Sequence, residues 1–407
     1  MPVVNLRLLF VLGLLSLPMT FAKAESNETP IDTSRFQDNI GHYQAFIDSK
    51  DYPRYAESQC VEIGDNILLM QRNNGGWSSN WDPLRILSEE EEQTFLEDKK
   101  KTDTTLDNRS SYTHTLYLAE LYERCGEDRF KEGALKGLNY LLEAQYENGG
   151  WPHNFPLPSD YRRYITITDD VMVGVLSTLL KIWREDSPCN FLDDTLQKRL
   201  KDVGTAISGC NYTGALDKPL RERIREAWER GHQCLLDLQV RVDGVPTVWA
   251  GQYHHETLEA ETGRSFELPG LVSTESVTVV RYLMWEAPQT EETVYAIESA
   301  MRWFEKSQIN GLRIERIKHE PIKYPFRTSR VDVIAVPDPD APPIWARFYE
   351  IDTNRPFMAN RDGTKVFALA DLEHERRSGY GWYGTGPSLL LDEEYPRWKA
   401  MREETEP

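Results

Sequence analysis

The tract Asn74-Gly75-Gly76-Trp77 recurs as Asn148-Gly149-Gly150-Trp151, and each copy has a glutamine six residues before its Trp, Gln71 and Gln145. Each glutamine ends a stretch with helical patterning, "EIGDNILLMQ" and "GLNYLLEAQ". Fainter copies follow in "CLLDLQVRVDGVPTVW", with Gln239, Gly244 and Trp249, and in "RWFEKSQINGL", with Gln308 and Gly311. A recurring unit of helix, glycine turn and aromatic marks stacked supersecondary elements. Glycine ends the helix because it adopts left-handed backbone without a Cβ penalty. The glutamines lie 74 and 94 residues apart, room for about two helices and a loop in each interval. The implied architecture is a ring of helix pairs whose loops surround one cleft, a shape suited to an extended ligand. The same tryptophans would also serve simply to cap core helices, and the repeat alone leaves both readings open.

Working outward, 53–72 reads as a helix, with Ile63, Ile67, Leu68 and Met70 on its apolar face. "WSSNWDPLRILSEEEEQTFLEDKKKTDTTLDN" reads as a long polar connection. Helices are expected over "SSYTHTLYLAELYERC", with Ser110 or Ser111 as N-cap, and over "RFKEGALKGLNYLLEAQ". "DDVMVGVLSTLLKIWRED" reads as a strongly apolar helix. "NFLDDTLQKRLKDVGTAISGC" with "LRERIREAWERGHQCLLDLQ" reads as an antiparallel pair, and "STESVTVVRYLMWEA" with "ETVYAIESAMRWFEKSQ" as another. After Gly311 the pattern changes to short strands, prolines and turns.

The N-terminus reads as an export signal over residues 1–24. Arg7 supplies the positive end, Leu8 to Leu17 the apolar run, and Ala22-Lys23-Ala24 the small-x-small cleavage pattern. The apolar run is too short to span a bilayer, so no membrane insertion is expected, and a secreted or periplasmic location is. Residues 25–45 read as a flexible lead-in and 46–407 as one catalytic domain, without a Pro/Ser/Gly-rich linker. Five cysteines are an odd number, so at least one is unpaired or bonded outside the chain; Cys189 and Cys210 could bracket a helix. The net charge of −19 argues against nucleic acid or an anionic membrane as partner. That charge is uneven. Leu312 to Arg377 holds twelve Lys/Arg against eleven Asp/Glu, so this segment is a candidate cationic subsite on an acidic protein.

Two acidic clusters stand at loop-to-helix junctions, Asp107-Asn108 and Asp169-Asp170. Either would serve as an N-cap, but a ring can bring helix starts together, and oxygen donors of this kind suit Ca²⁺. HExxH, CxxC, GxSxG, the P-loop and GxGxxG are all absent from the sequence. "WARFYEIDTNRPFMANRDG" (Trp345 to Gly363) mixes Arg347, Arg355 and Arg361 with aromatics. Arginines hold carboxylates bidentately and aromatic faces stack on sugar rings.

With these stretches in order, namely "MQRNNGGW", "TLDNRSSYTHTLYLAELY", "GLNYLLEAQYENGGWPHNFP", "YITITDDVMVGVL", "CLLDLQVRVDGVPTVWAGQY", "STESVTVVRYLM", "WARFYEIDTNRPFMANRDG" and "ERRSGYGWYG", the chain resembles the pectate lyases of polysaccharide lyase family 10. The resemblance spans Met70 to Gly384. It implies an all-α dominated fold, an (α/α)₃ toroid-like ring, with an irregular short-strand C-terminal segment. It also implies Ca²⁺-assisted β-elimination of polygalacturonate by a monomeric enzyme. By motif position, Asp107 and Asp169 match metal-site residues with Asn108 beside them, Arg361 matches the catalytic base, and Arg347 and Arg241 match residues that grip uronate carboxylates. Thr168 stands where the family has Asn. A neutral guanidine near pH 9 costs roughly 5–6.5 kcal/mol at about 1.36 per pH unit, so neighbouring cations and an alkaline optimum are expected. Two alternatives remain at this level: a hydrolase using Asp107 and Asp169 as acid and base, and a non-catalytic uronate-binding protein.

Overall fold

The computed structural model describes residues 30–183, 216–325 and 327–405. The expected export signal, the helix expected over 190–210, and Cys189 and Cys210 lie outside the described residues.

The chain is helix-rich. In order run α1 (Gln37–Phe46), α2 (Cys60–Met70), α3 (Glu89–Asp98), α4 (Tyr112–Cys125), α5 (Asp128–Glu143), α6 (Val171–Trp183), α7 (Lys218–Asp237), α8 (Ser273–Trp285) and α9 (Glu291–Lys306). Helices α4, α6 and α8 form a central row, with α6 packed against both others. Each is paired with the helix that follows it in this order, α4 with α5, α6 with α7 and α8 with α9. Helices α2, α5, α7 and α9 form a flanking row in which each touches the next. The central helices are buried along most of their length, whereas α5, α7 and α9 present one apolar stripe inward and a charged face outward.

The repeat holds these rows together. Trp77, Trp151, Trp249 and Trp345 are all 1 % exposed or less. Their indole nitrogens donate to the carbonyls of Ile67, Leu141, Leu235 and Phe304, each in the flanking helix just before the turn, at 2.7–2.9 Å. The glutamines tie one flanking helix to the next. Gln71 bonds the carbonyls of Gly75 and Gly133, Gln145 those of Gly149 and Ala227, and Gln239 those of Thr247 and Ala296. Each amide therefore satisfies its own turn and a neighbouring helix at once. Gly75 and Gly149 both have φ +93°, and a Cβ there would collide with the backbone carbonyl of Lys136 or Arg230 in the next helix. The fourth unit is split: its turn is at Gln308 to Gly311 and its tryptophan is Trp345, with a hairpin inserted between.

Several expectations are corrected. The insert is not made of short strands. Leu312–Tyr324 pairs antiparallel with Arg327–Pro337, with a bulge between Lys318 and Ile322. The long polar connection contains α3, closed by a capping box between Ser88 and Glu91 that "SEEE" spells out. Ser111 is the N-cap residue of α4, but its side chain makes no capping bond; the hydroxyl donates to the Thr105 carbonyl and accepts from the Trp77 amide. The lead-in is folded from Ile31 onward. Ile31 and Phe36 are fully buried, Arg35 pairs with Glu120 at 2.9 Å, and Asp38 pairs with Arg109 at 2.9 Å. Burial of two large apolar side chains outweighs the polar composition that suggested a loose segment.

A small sheet completes the fold, in the order Lys365–Val366, Pro356–Ala359, Phe348–Tyr349, Leu271–Val272, all antiparallel. A second apolar cluster lies with it, built from Phe266, Val272, Val333, Phe348, Phe357, Leu369 and Trp382. Among the described residues, no helix is long and apolar enough to cross a membrane.

Candidate active site

The loops that enter α4 and α6 are built alike. Asn108 and Arg109 have φ +50° and +61°, and Asp169 and Asp170 have φ +55° and +59°. Left-handed backbone at four non-glycine residues costs on the order of 1–3 kcal/mol each and persists only where the surroundings over-determine it. Here they do. Arg109 bridges the loops, pairing with Asp170 at 2.7 Å and with Asp38 of α1. Asn39 of α1 accepts from the Ser110 hydroxyl and the Asn80 amide, and Asn80 accepts from the Asn108 side chain at 2.8 Å. Thr168 is held by the Gly251 carbonyl at 3.1 Å.

These loops bring Asp107 and Asp169 together, with His153 beside them; one ligand atom from each lies within 4.8 Å of the others. The His153 Nε2 is 3.2 Å from Asp107 Oδ1, and its Nδ1 is 2.6 Å from Asn154 Oδ1. A carboxylate oxygen of Asp107 and one of Asp169 lie within 4.8 Å of each other. Burial works to raise Asp107, but the charge and hydrogen bond of His153 override it and hold the carboxyl well below its ordinary range. Burial pushes Asp169 far up, the charge of Asp107 adds to that, and Arg347 and Arg264 oppose it. Two carboxylates this close do not both ionise without added positive charge. The donor set fits a divalent cation: two carboxylates and an imidazole converge on one point, and a bound cation would supply the missing charge.

Arginines and aromatics form the rest. Asp169, Arg109, Glu275, Arg281 and Arg347 line one cavity of about 370 Å³. Arg347 pairs with buried Glu275 and lies 4.6 Å from the centre of the Tyr380 ring. Its backbone is fixed by the amide of Ser273 and the carbonyl of Trp382. Arg264 is held by Glu267, which also accepts from the Tyr380 hydroxyl at 2.6 Å. The Phe266 ring has three guanidinium groups over it, from Arg376 at 4.3 Å, Arg264 at 5.2 Å and Arg361 at 5.5 Å. Arg361 and Arg376 share Glu375, whose carboxyl is held down at about 2 chiefly by Arg376. The small sheet sets both key arginines, Arg347 just before Phe348 and Arg361 two residues beyond Ala359.

A cation-ready carboxylate pair facing an arginine–aromatic cage suits a ligand that carries carboxylates on rings. The profile of the pectic acid lyase family matches residues 71–212 and 200–391. The chain belongs to that family. Among curated proteins none matches. Two solved structures from Cellvibrio cellulosa share the fold. One is a family 10 polysaccharide lyase; the other is a mutant of a family 10 polysaccharide lyase in complex with trigalacturonic acid. Each is 23% identical, with a TM-score of 0.62, and each alignment covers 90% of this chain; it covers 99% of the mutant and 98% of the other.

Of the site residues expected in this family member, Asp107, Asn108, Asp169 and Arg347 gather at the paired loops and the cavity beside them, and Arg361 joins through the Phe266 cage. Arg241 is not brought there. It is exposed on a tight turn after α7, and its guanidinium bonds the Gly244 carbonyl at 3.3 Å. It occupies the glycine-turn position of the repeat rather than the position after the tryptophan. Beside the expected oxygen donors, His153 brings a ring nitrogen to the same point. His153, Arg264, Phe266, Glu275 and Tyr380 were missed. Two of the site residues were legible through the repeat: the second residue after Trp151 is His153 and the second after Trp345 is Arg347. The second after Trp249 is Gly251, whose carbonyl holds Thr168 beside Asp169.

Proposed function

We propose that the protein is an exported polysaccharide lyase that cleaves α-1,4-polygalacturonate by β-elimination on an (α/α)₃ toroid-like ring, leaving 4,5-unsaturated oligogalacturonides. The observation that carries this is the Asp107–Asp169 pair set against the Arg347–Arg264–Arg361 cage in a pectic acid lyase family member. The similar Cellvibrio enzyme complexed with trigalacturonic acid supports the substrate class.

The chemical difficulty is removing the C5 proton beside a carboxylate, because a dianionic enolate builds up. Arg347 and Arg264 grip uronate carboxylates and offset that charge as it develops. Asp107 and Asp169, with Asn108 and His153 adjacent, would hold Ca²⁺, which supplies further positive charge at the uronate carboxylate when bound. Arg361, in its neutral guanidine form, takes the C5 proton onto a guanidine nitrogen. The C5–H electron pair becomes the C4–C5 double bond, and the O4-linked sugar leaves with the C4–O4 pair, its O4 taking a proton from water. Glu375 does not lose its counter-charge in this arrangement, because Arg376 holds it at 2.6 Å through two nitrogens.

Hydrolysis fits less well. Glycosidase carboxylates stand about 5–5.5 Å or 6.5–9.5 Å apart, whereas Asp107 and Asp169 bring carboxylate oxygens within 4.8 Å of one another, with His153 beside them. The test is ultraviolet absorbance on polygalacturonate with and without a chelator. Absorbance should rise, and the chelator should abolish it. New reducing ends without absorbance would establish hydrolysis instead.

A further inference from the structure

The hairpin inserted into the fourth repeat carries charge that the site described above leaves unexplained. Its Arg316 lies opposite Val333, and Val333 belongs to the second apolar cluster. Cross-strand partners and residues two apart share a face, so Ile314, Arg316 and Lys318 all lie on the side that meets this cluster. Arg316 and Lys318 are exposed at its rim. Among the described residues neither forms an ion pair. The acids nearby are engaged elsewhere: Glu315 with Arg313, and Asp332 with Arg377 at 2.8 Å.

Arg327, on the returning strand, links this rim to the site. Its guanidinium lies against Gly379 and donates to the Ser378 hydroxyl at 2.6 Å, while its Nε is buried without a partner. Burial lowers its pKa from the ordinary arginine value. Glu375 and Tyr324 work to raise it, and the like charges of Arg376 and Arg316 add to the lowering. Such crowding is unfavourable in an empty protein and calls for an anionic partner. The guanidinium groups thus follow one another from Arg347 over Tyr380, through Arg264, Arg361 and Arg376 around Phe266, to Arg327 and Arg316. Glu375 is the acid inside the distal part of this line, and it is shared by two arginines.

We infer that the 312–337 hairpin extends the binding track beyond the cleavage site, with Arg316, Lys318 and Arg327 holding the carboxylates of a longer polyuronate chain. A polyuronate carries one carboxylate on every sugar, so a track of spaced cations gains with chain length, whereas a short oligomer does not reach it. This inference rests on the uronate-cleaving function proposed above.

The test uses the double variant Arg316→Ala/Lys318→Ala, in which both changes are exposed and neither touches the cleavage site. KM for long polygalacturonate should rise roughly three- to tenfold. The turnover number, and both constants for trigalacturonate, should stay as in the wild type. A polymer KM that does not change, or an equal change for trimer and polymer, overturns the inference. Affinity electrophoresis in polygalacturonate gels reads binding without turnover. If the wild type cleaves nothing, the proposed activity fails, and gel retardation still decides the track: weaker retardation of the variant supports it, and equal retardation refutes it.

Discussion

Replacing Gln239 by Ala should loosen the whole array of helix pairs, because this side chain spans two elements. Gln239 is buried, and its amide donates at 2.9 Å both to Thr247, within its own turn, and to Ala296 in α9. Two intramolecular hydrogen bonds contribute about 1 kcal/mol each, and a buried acceptor left without a donor costs about as much again. The Ala296 carbonyl sits within α9 and keeps its helical partner, so only Thr247 incurs that further cost. Loss of the one buried methylene group adds about 0.8 kcal/mol. The expected sum is about 3–4 kcal/mol. Urea unfolding followed by circular dichroism reads this directly. A chain of this size has a steep dependence, about 3 kcal/mol per molar urea or more, so the midpoint should fall by about 1 M. Arg241→Ala, two residues away and exposed, should move it by less than a fifth of that. Equal midpoints for Gln239→Ala and the wild type would refute the idea that these glutamines lash neighbouring flanking helices together.

Arg361→Lys should lose nearly all turnover while keeping affinity for oligogalacturonate; unchanged turnover would remove Arg361 as the base. Asp169→Ala should weaken the calcium dependence or abolish activity, and a normal calcium titration would refute its metal role. Arg281 and Glu394 form a buried bidentate pair at 2.7–3.1 Å, so Arg281→Met strands a carboxylate and should cost about 3–5 kcal/mol in denaturant unfolding; a loss below about 1 kcal/mol would contradict that. Burial lowers the His114 pKa to about 3, with the ring packed between Trp77 and Phe36. The folded value lies below the unfolded one, so stability is full above about pH 6.5 and declines by roughly 1.4 kcal/mol per unit as pH falls toward 3. His114→Phe should flatten that part of the acid limb, and an identical pH–stability profile would count against it.

The architecture was legible because its cause is local and repeated. A glycine turn, a glutamine ahead of a tryptophan and an apolar helix recur visibly, and the four tryptophans and the first three glutamines make the same bonds in turn. The split fourth unit was harder to see, since the hairpin separates Gln308 from Trp345 by a span that resembles loose chain. The carboxylates were legible as two loop-to-helix clusters, but their meeting depends on how the central helices pack, which only the ring reading of the repeat and the resemblance implied. Arg264 and Glu275 could not be singled out: Arg264 is one charge in an unremarked stretch and Glu275 one acid in a stretch noted only for its helix and its place in the resemblance, and their places in the site come from tertiary contact with Tyr380 and Arg347. Arg241 misled because its motif neighbours match the family while its own side chain stays at the turn. The N-terminal segment misled through composition. Its polar residues are the ones that clamp the site, Asp38 on Arg109 and Asn39 on the Asn80–Ser110 pair.

Mass spectrometry of a trigalacturonate digest tests the central claim most directly. Elimination at the carboxylate–arginine cleft predicts a product fragment lighter than digalacturonate or galacturonate by one water molecule, with no oxygen taken up from labelled solvent water. Fragments of full hydrated mass, carrying solvent oxygen at the new end, would contradict the account.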